Sequence, residues 1–195
     1  PMIIGITGGI ASGKSTLSNL LKTHGFPVYD SDLEASRLQN EHPAIVSQTK
    51  ALFGDDIYVD GQLNRPAVAA LVFQNPELLR KLTNIVHPVV KADFLQWARQ
   101  FNPNKLIFIE SAILFEANFD GLVDKVILLT VSEEIRIQRV MERDGSTREQ
   151  VLARIKNQIP DTEKIPKSDL VILTDQGLPD DVLHLIVSWQ DRIIP

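Results

Sequence analysis

The tightest constraint on this chain lies near its start, in Gly8-Gly9-Ile10-Ala11-Ser12-Gly13-Lys14-Ser15, with Thr16 next. An apolar run, Met2–Ile6, leads into it, and Leu17, Leu20 and Leu21 after it share one helical face. A strand therefore ends and a helix begins within a loop whose glycines let the backbone curl, so that its N–H groups converge. The helix brings the positive end of its dipole to the same place. Lys14 adds a point charge suited to the β- and γ-phosphates of a nucleotide, and Ser15 a hydroxyl for a Mg²⁺ ion bridging them. The spacing G-x-x-x-x-G-K-[ST] in a strand–loop–helix setting reads as a phosphate-binding P-loop. The alternative, an accidental glycine-rich turn, explains neither the lysine nor the flanking elements.

The rest of the chain fits around that loop. Leu106–Ile109, Val126–Val131 and Leu170–Leu173 repeat the short, nearly continuous apolar pattern of Met2–Ile6, as expected of strands buried on both faces of a parallel sheet. Pro27–Tyr29 is a weaker fifth strand. Helical periodicity between them predicts an α/β fold built on a central parallel five-stranded sheet.

The interval from Pro27–Tyr29 to Leu106 is far longer than the dozen or so residues that a parallel crossover needs. It carries its own punctuation. Pro43 after His42 opens a run to Phe53 closed by Gly54, Asn64 precedes a helix from Arg65, and Asn75-Pro76 opens another. His87-Pro88 opens one more, to about Phe101. An all-helical insertion is expected, emerging at the carboxyl ends of the strands, where open α/β sheets bind ligands. It suits an acceptor-binding domain, the alternative being a helical decoration without a ligand.

Composition narrows the partners. The net charge is −5, and positions 33–104 balance seven Lys/Arg against seven Asp/Glu, so no basic surface for a polynucleotide is expected. No cysteine is present, which removes disulfides, thiolate zinc sites and a thiol nucleophile together. No apolar run approaches the roughly 20 residues that span a bilayer. The first residues are too few and uncharged for a signal peptide, and Pro1, ahead of Met2, is expected to be foreign to the natural chain. A cytoplasmic protein without a membrane partner is expected.

Several polar residues stand where chemistry would need them. Asp30-Ser31-Asp32 follows the second strand. Asp32 there can take the proton of an attacking hydroxyl or hold magnesium through water, or it can simply cap a helix from Leu33. Glu110 ends the Leu106–Ile109 strand and can support a metal or merely terminate the strand. Arg136, Arg139 and Arg143 share one face of the helix after Ser132. Such a face is commonly just solvated, the reading given to Arg136 and Arg148. Arg139 and Arg143 fit lid arginines that neutralise a transferring phosphoryl group. Ser146 and Glu149 read as a capping box for a second lid helix. A guanine-nucleotide switch would show N-K-x-D, but Asn104-Lys105 runs into Leu106-Ile107. A small-molecule kinase fits better, and a non-catalytic ATP-binding switch is the rival of a different class.

Taken in order, these residues resemble the dephospho-CoA kinase family over nearly the whole chain. Thr7–Ser15 resembles its T-G-G-I-x-S-G-K-S, Asp30–Asp32 its D-A-D, and Asp60-Gly61-Gln62-Leu63-x-Arg65 its D-G-x-L-x-R. Asn84-Ile85-Val86-His87-Pro88 resembles its N-x-x-H-P, and Leu114-Phe115-Glu116 the end of its P-L-L-F-E. Gln138, Arg139, Arg143 and Gln158 resemble its lid, and Ser168-Asp169 its late A-D. The sequence departs from the family at three places. Ala11 replaces a loop glycine, from which a backbone without positive φ is expected. Ser111-Ala112 replaces a proline, and Thr174 an asparagine near the adenine site, so contacts there are expected to differ.

The resemblance implies a P-loop kinase-like three-layer fold. Its nucleotide core would be 1–32 with 105–138 and 165–195, its acceptor domain 33–104 and its lid 139–164. ATP would be the phosphoryl donor, Mg²⁺ the metal and the ribose 3′-hydroxyl of dephospho-CoA the acceptor. Asp32 would be the general base, with Lys14 and Arg139 stabilising charge. Gly9, Ala11, Ser12, Gly13, Lys14, Ser15, Thr16 and Arg143 would hold the nucleotide, Ser15 also the metal. Thr7, Asp32, Arg65 and His87 would place the acceptor, His87 having the alternative of capping the helix at Pro88. A kinase for another nucleoside or nucleotide shares this core and is separated by the acceptor it consumes.

Overall fold

The computed structural model describes residues 1–190. They form two compact units, one of residues 1–30 with 98 onward, the other of residues 31–97.

The first unit is built on five parallel strands: β1 (Met2–Gly8), β2 (Val28–Asp30), β5 (Leu106–Glu110), β6 (Lys125–Thr130) and β7 (Leu170–Leu173), in the order β2-β5-β1-β6-β7. The loop-bearing strand β1 is central, paired with β5 on one side and β6 on the other. Strand β2 sits one residue later than expected, so that Asp30 pairs in register with Glu110 at the sheet's carboxyl edge.

The continuous apolar runs have the anticipated physical cause. Ile4, Ile6, Leu106, Phe108, Ile127 and Leu129 join one core with Leu17 and Leu21 of helix α1 (Lys14–Thr23). The alternate positions Ile107, Ile109, Val126 and Leu128 are buried as well. Strands covered on both faces have no polar phase. Each fully buried leucine or isoleucine contributes about 1.5–3 kcal/mol relative to exposure. The remaining helices here are α6 (Glu133–Asp144), α7 (Arg148–Lys156), α8 (Asp161–Lys164) and α9 (Val182–Val187). Helix α7 is started by a capping box, but between Thr147 and Gln150 rather than Ser146 and Glu149. Thr147 suits the N-cap as well as Ser146 does, and Gln150 returns the bond as glutamate would. Among the described residues no helix is long and apolar enough to cross a membrane.

The second unit holds α2 (Ser31–Glu41), α3 (Pro43–Phe53), α4 (Arg65–Val72) and α5 (Pro76–Ala98). His42 Nδ1 accepts from Ile45 N at 3.4 Å, and Asn64 and Asn75 cap their helices through Oδ1 at 3.2 and 3.1 Å.

Three expectations are corrected here. The insertion is not all-helical: β3 (Tyr58–Val59) and β4 (Gln62–Leu63) form an antiparallel hairpin. Its turn, Asp60-Gly61, takes positive φ at both residues (51° and 76°), which Asp-Gly adopts readily. Pro88 does not start a helix either; α5 runs through it for 23 residues. Leu82, Val86, Val90 and Phe94 keep a four-residue stripe buried across the proline, whose own ring is exposed. The continuous apolar face outweighs the one hydrogen bond that proline cannot make. Finally, α2 begins at Ser31, so Asp32 lies inside its first turn and is not its cap.

Candidate functional site

The first unit concentrates most of the sequence-predicted residues around one cavity of about 350 Å³. Ala11, Ser12, Gly13, Lys14, Ser15 and Thr16 line it from the loop, Arg139 and Arg143 from α6, and Thr174, Gly177 and Leu178 from the turn after β7. That volume is at the lower end of the range for small-molecule sites.

The loop's shape follows from its residues. Gly13 turns into α1 at φ 98°, a conformation that L side chains rarely adopt. Ala11 takes φ 60°, against the expectation drawn from its side chain. The loop needs a left-handed residue there whatever occupies the position, at a strain of about 1–2 kcal/mol. Surrounding bonds hold it: Ser12 N donates to Gly9 O at 3.2 Å, and Ile10 N to Gln158 Oε1 at 3.2 Å. Ile10 and Ala11 also pack on the cluster of Ile137, Val140 and Val151, which joins α6 and α7 to the loop. Lys14 Nζ donates to the carbonyls of Gly8 and Gly9 at 2.8 and 3.1 Å, lying along the loop. Ser15 and Thr16 are exposed on the cavity wall, whereas Ser12 is buried, as is Thr7, whose hydroxyl has no hydrogen-bond partner.

The three arginines of α6 have different surroundings. Arg139 Nη1 donates to Ala11 O at 3.1 Å and to Thr174 Oγ1 at 3.4 Å, and Nη2 to the carbonyls of Thr174 and Asp175. All four acceptors are neutral oxygens, so the guanidinium charge stands uncompensated by its hydrogen-bond partners. Arg143 pairs with Asp144, whose carboxyl is held far below the usual range by Arg143 and then Arg154. Arg136 is not on a solvated face: it is 7% exposed and pairs with Asp161 at 3.0 Å. Arg148 is exposed, in an ion pair with Glu134.

Thr174 has a structural role. Its hydroxyl reaches Ser12 O at 2.7 Å and Thr130 O at 3.2 Å, tying the end of β7 to the loop. Gly177 and Leu178 were missed by motif reading; the Asp175-Gln176-Gly177 turn immediately after the last strand was the available signal. Glu110 is 8% exposed and accepts from Ser18 Oγ at 3.0 Å.

Asp32, Arg65 and His87 belong to the second unit. Arg65, at the start of α4, donates to Gln39 Oε1 at 2.8 Å and Ser36 O at 3.1 Å, so it braces α2. His87 lies in the middle of α5 and caps nothing. It is partly buried, and that burial, reinforced by Lys91, pushes its pKa down.

Comparison with known proteins agrees with this geometry. The family model described as dephospho-CoA kinase matches residues 2–180. The dephospho-CoA kinase of Porphyromonas gingivalis is 45% identical over 191 residues, covering 98% of this chain and 92% of that protein. A crystal structure from Thermus thermophilus superposes with a TM-score of 0.83 at 35% identity, covering 100% of this chain and 99% of its own. The dephospho-CoA kinase structure from Campylobacter jejuni gives 0.70 at 26%, with 97% and 96% covered. The family model and these relatives thus match nearly the whole length of a chain whose loop leaves the central strand of a parallel five-stranded sheet, and the chain belongs to the dephospho-CoA kinase family of kinase enzymes.

Proposed function

We propose that this protein transfers the γ-phosphoryl group of ATP to the 3′-hydroxyl of the ribose of dephospho-CoA, giving CoA and ADP. The observation that carries the reading is Arg139: a charged guanidinium, anchored only to neutral oxygens, on the wall of a cavity floored by the phosphate loop. Such an arrangement is prepared for an anion whose charge moves during reaction.

The phosphates lie on the loop and the N-terminus of α1, with the Lys14 ammonium turning from the Gly8 and Gly9 carbonyls to the β- and γ-oxygens. Thr16, Ser12 and Arg143 complete the nucleotide's contacts. Among the described residues no group of three or more His, Asp or Glu could hold a metal. The Ser15 hydroxyl on the cavity wall fits magnesium instead, which takes few protein ligands and shares phosphate oxygens and water. A Mg²⁺ ion held by Ser15 would supply charge neutralisation to the nucleotide's phosphates. Glu110, at the end of β5, supports that site through its neighbours.

Residues 33–104 are assigned to the acceptor and 139–164 to the lid. Asp32 takes the proton from the ribose 3′-hydroxyl, and the oxygen attacks the γ-phosphorus. The bond from that phosphorus to the β,γ-bridging oxygen breaks, and the electron pair leaves with ADP. Arg139 and Lys14 stabilise the equatorial oxygens meanwhile. Thr7, Arg65 and His87 help to place the acceptor, Arg65 through its brace on α2 and His87 as a neutral ring.

A coupled assay for ADP, run with dephospho-CoA and, separately, with nucleoside and nucleotide acceptors, tests the reading. Turnover should require dephospho-CoA and a divalent cation. Equal or faster turnover with another acceptor would sink it, and ATP binding without turnover of any acceptor would favour a nucleotide-dependent switch.

A further inference from the structure

Gly9 has a side chain from another element pressed against it. A Cβ built there meets Arg136 first: its three nearest atoms are Nη1, Cζ and Nη2 of that guanidinium. Gly9 has no positive φ, so no left-handed strain would add to that clash. Arg136 is held in place by Asp161, whose Oδ2 accepts from Nη2 at 3.0 Å and from Thr130 Oγ1 at 2.6 Å. Both members are largely buried, with side-chain exposures of 8% and 19%. Arg136 Nε, also buried, has no hydrogen-bond partner. A cation kept inside with a donor unsatisfied is costly, and the face it covers is the leading edge of the phosphate loop.

We infer that Arg136, clamped by Asp161, is a positioning residue that sets the conformation of the phosphate loop at Gly9 and thereby its affinity for the triphosphate. Its action runs through the loop backbone and not through the reacting atoms. The affinity part rests on the nucleotide reading above; the packing part does not.

The experiment is a double-mutant cycle on the intact chain, with Gly9→Ala, Arg136→Ala and the pair, reading melting temperature, ATP affinity by calorimetry, and kcat against KM for ATP. Gly9→Ala should lower melting temperature and ATP affinity sharply in the wild-type background and far less beside Arg136→Ala, whose removal makes room for the methyl. Arg136→Ala by itself should weaken ATP binding about tenfold, a size reached by residues acting through packing, with kcat at saturating ATP retained. Asp161→Asn keeps the shape while loosening the clamp, and should shift ATP affinity in the same direction even if Arg136→Ala fails to fold. Additive effects of Gly9→Ala and Arg136→Ala on melting would overturn the packing. Unchanged ATP affinity in Asp161→Asn and Arg136→Ala would overturn the positioning role. A wild-type chain that binds no ATP would instead count against the nucleotide reading, while the melting cycle still decides the packing.

Discussion

Arg139 Nη1 lies 3.1 Å from the carbonyl oxygen of Ala11, so the arginine of α6 is bonded to the one non-glycine residue of the phosphate loop that takes a left-handed backbone. The loop residue accepts its strain in a conformation that points its carbonyl at the guanidinium. The guanidinium in turn stays on the cavity wall with neutral oxygens as its hydrogen-bond acceptors, the Asp175 carboxylate acting on it through charge alone.

Replacing Arg139 should therefore cost turnover more than stability. Arg139→Ala is expected to lower kcat by about 10²-fold or more, the scale of a lost transition-state charge stabiliser. Arg139→Lys should be deficient too, because a compact point charge does not reproduce the planar fork that bonds Ala11 and Thr174 at once. Steady-state kinetics beside melting curves decide it; a loss confined to melting temperature would return Arg139 to a bracing role.

Lys14→Ala should lose about 10²-fold or more in activity while remaining folded, since the ammonium's bonds to Gly8 and Gly9 are local to the loop. A folded variant with near-normal turnover would remove Lys14 from the mechanism.

For Asp32, the informative change is Asp32→Asn. The residue lies within the first turn of α2, where either side chain fits the helix. If Asp32 takes the hydroxyl proton, kcat should fall about 10²- to 10⁴-fold, with ATP affinity unchanged by calorimetry. Wild-type kcat in this variant would leave the base unassigned.

Ala11→Gly should stabilise the protein. Relief of a positive φ is worth about 1–2 kcal/mol, of which glycine's extra freedom in the unfolded chain takes back about 0.5–1. A rise in melting temperature of about 2 °C is the expected size for a chain of this length. A fall would show that the alanine methyl, packed on the Ile137, Val140 and Val151 cluster, contributes more than the strain costs.

His87 predicts a pH dependence of stability. Burial holds its folded-state pKa below the ordinary 6.5, so on acidification the unfolded chain takes up the proton first. Stability from this residue is complete above about pH 6.5 and falls as the pH drops through that value toward the folded pKa. Denaturant melts between pH 5 and 7.5 should show the decline, and His87→Gln should flatten it. An identical slope in the variant would place the titrating group elsewhere.

The amino-acid sequence by itself determined the loop, the strands and their burial, because these rest on local spacing: glycines beside a lysine, and apolar runs too continuous for a one-sided sheet. The Asp60-Gly61 turn was equally local and readable, though helical punctuation around it drew the reading away. What only the tertiary structure decided depends on partners far along the chain. Pro88 stays inside α5 because a buried stripe on both sides of it outweighs one missing hydrogen bond. Ala11 goes left-handed because the loop's path is imposed by Gly13, Gln158 and Arg139 together. The three arginines, on one face of one helix, become a buried clamp, a cation hydrogen-bonded to neutral oxygens and a paired surface cation according to whether Asp161, Ala11 and Thr174, or Asp144 accept from them. Helical spacing specifies where a side chain starts; its partners and its freedom to act are set by what the fold brings to its other end.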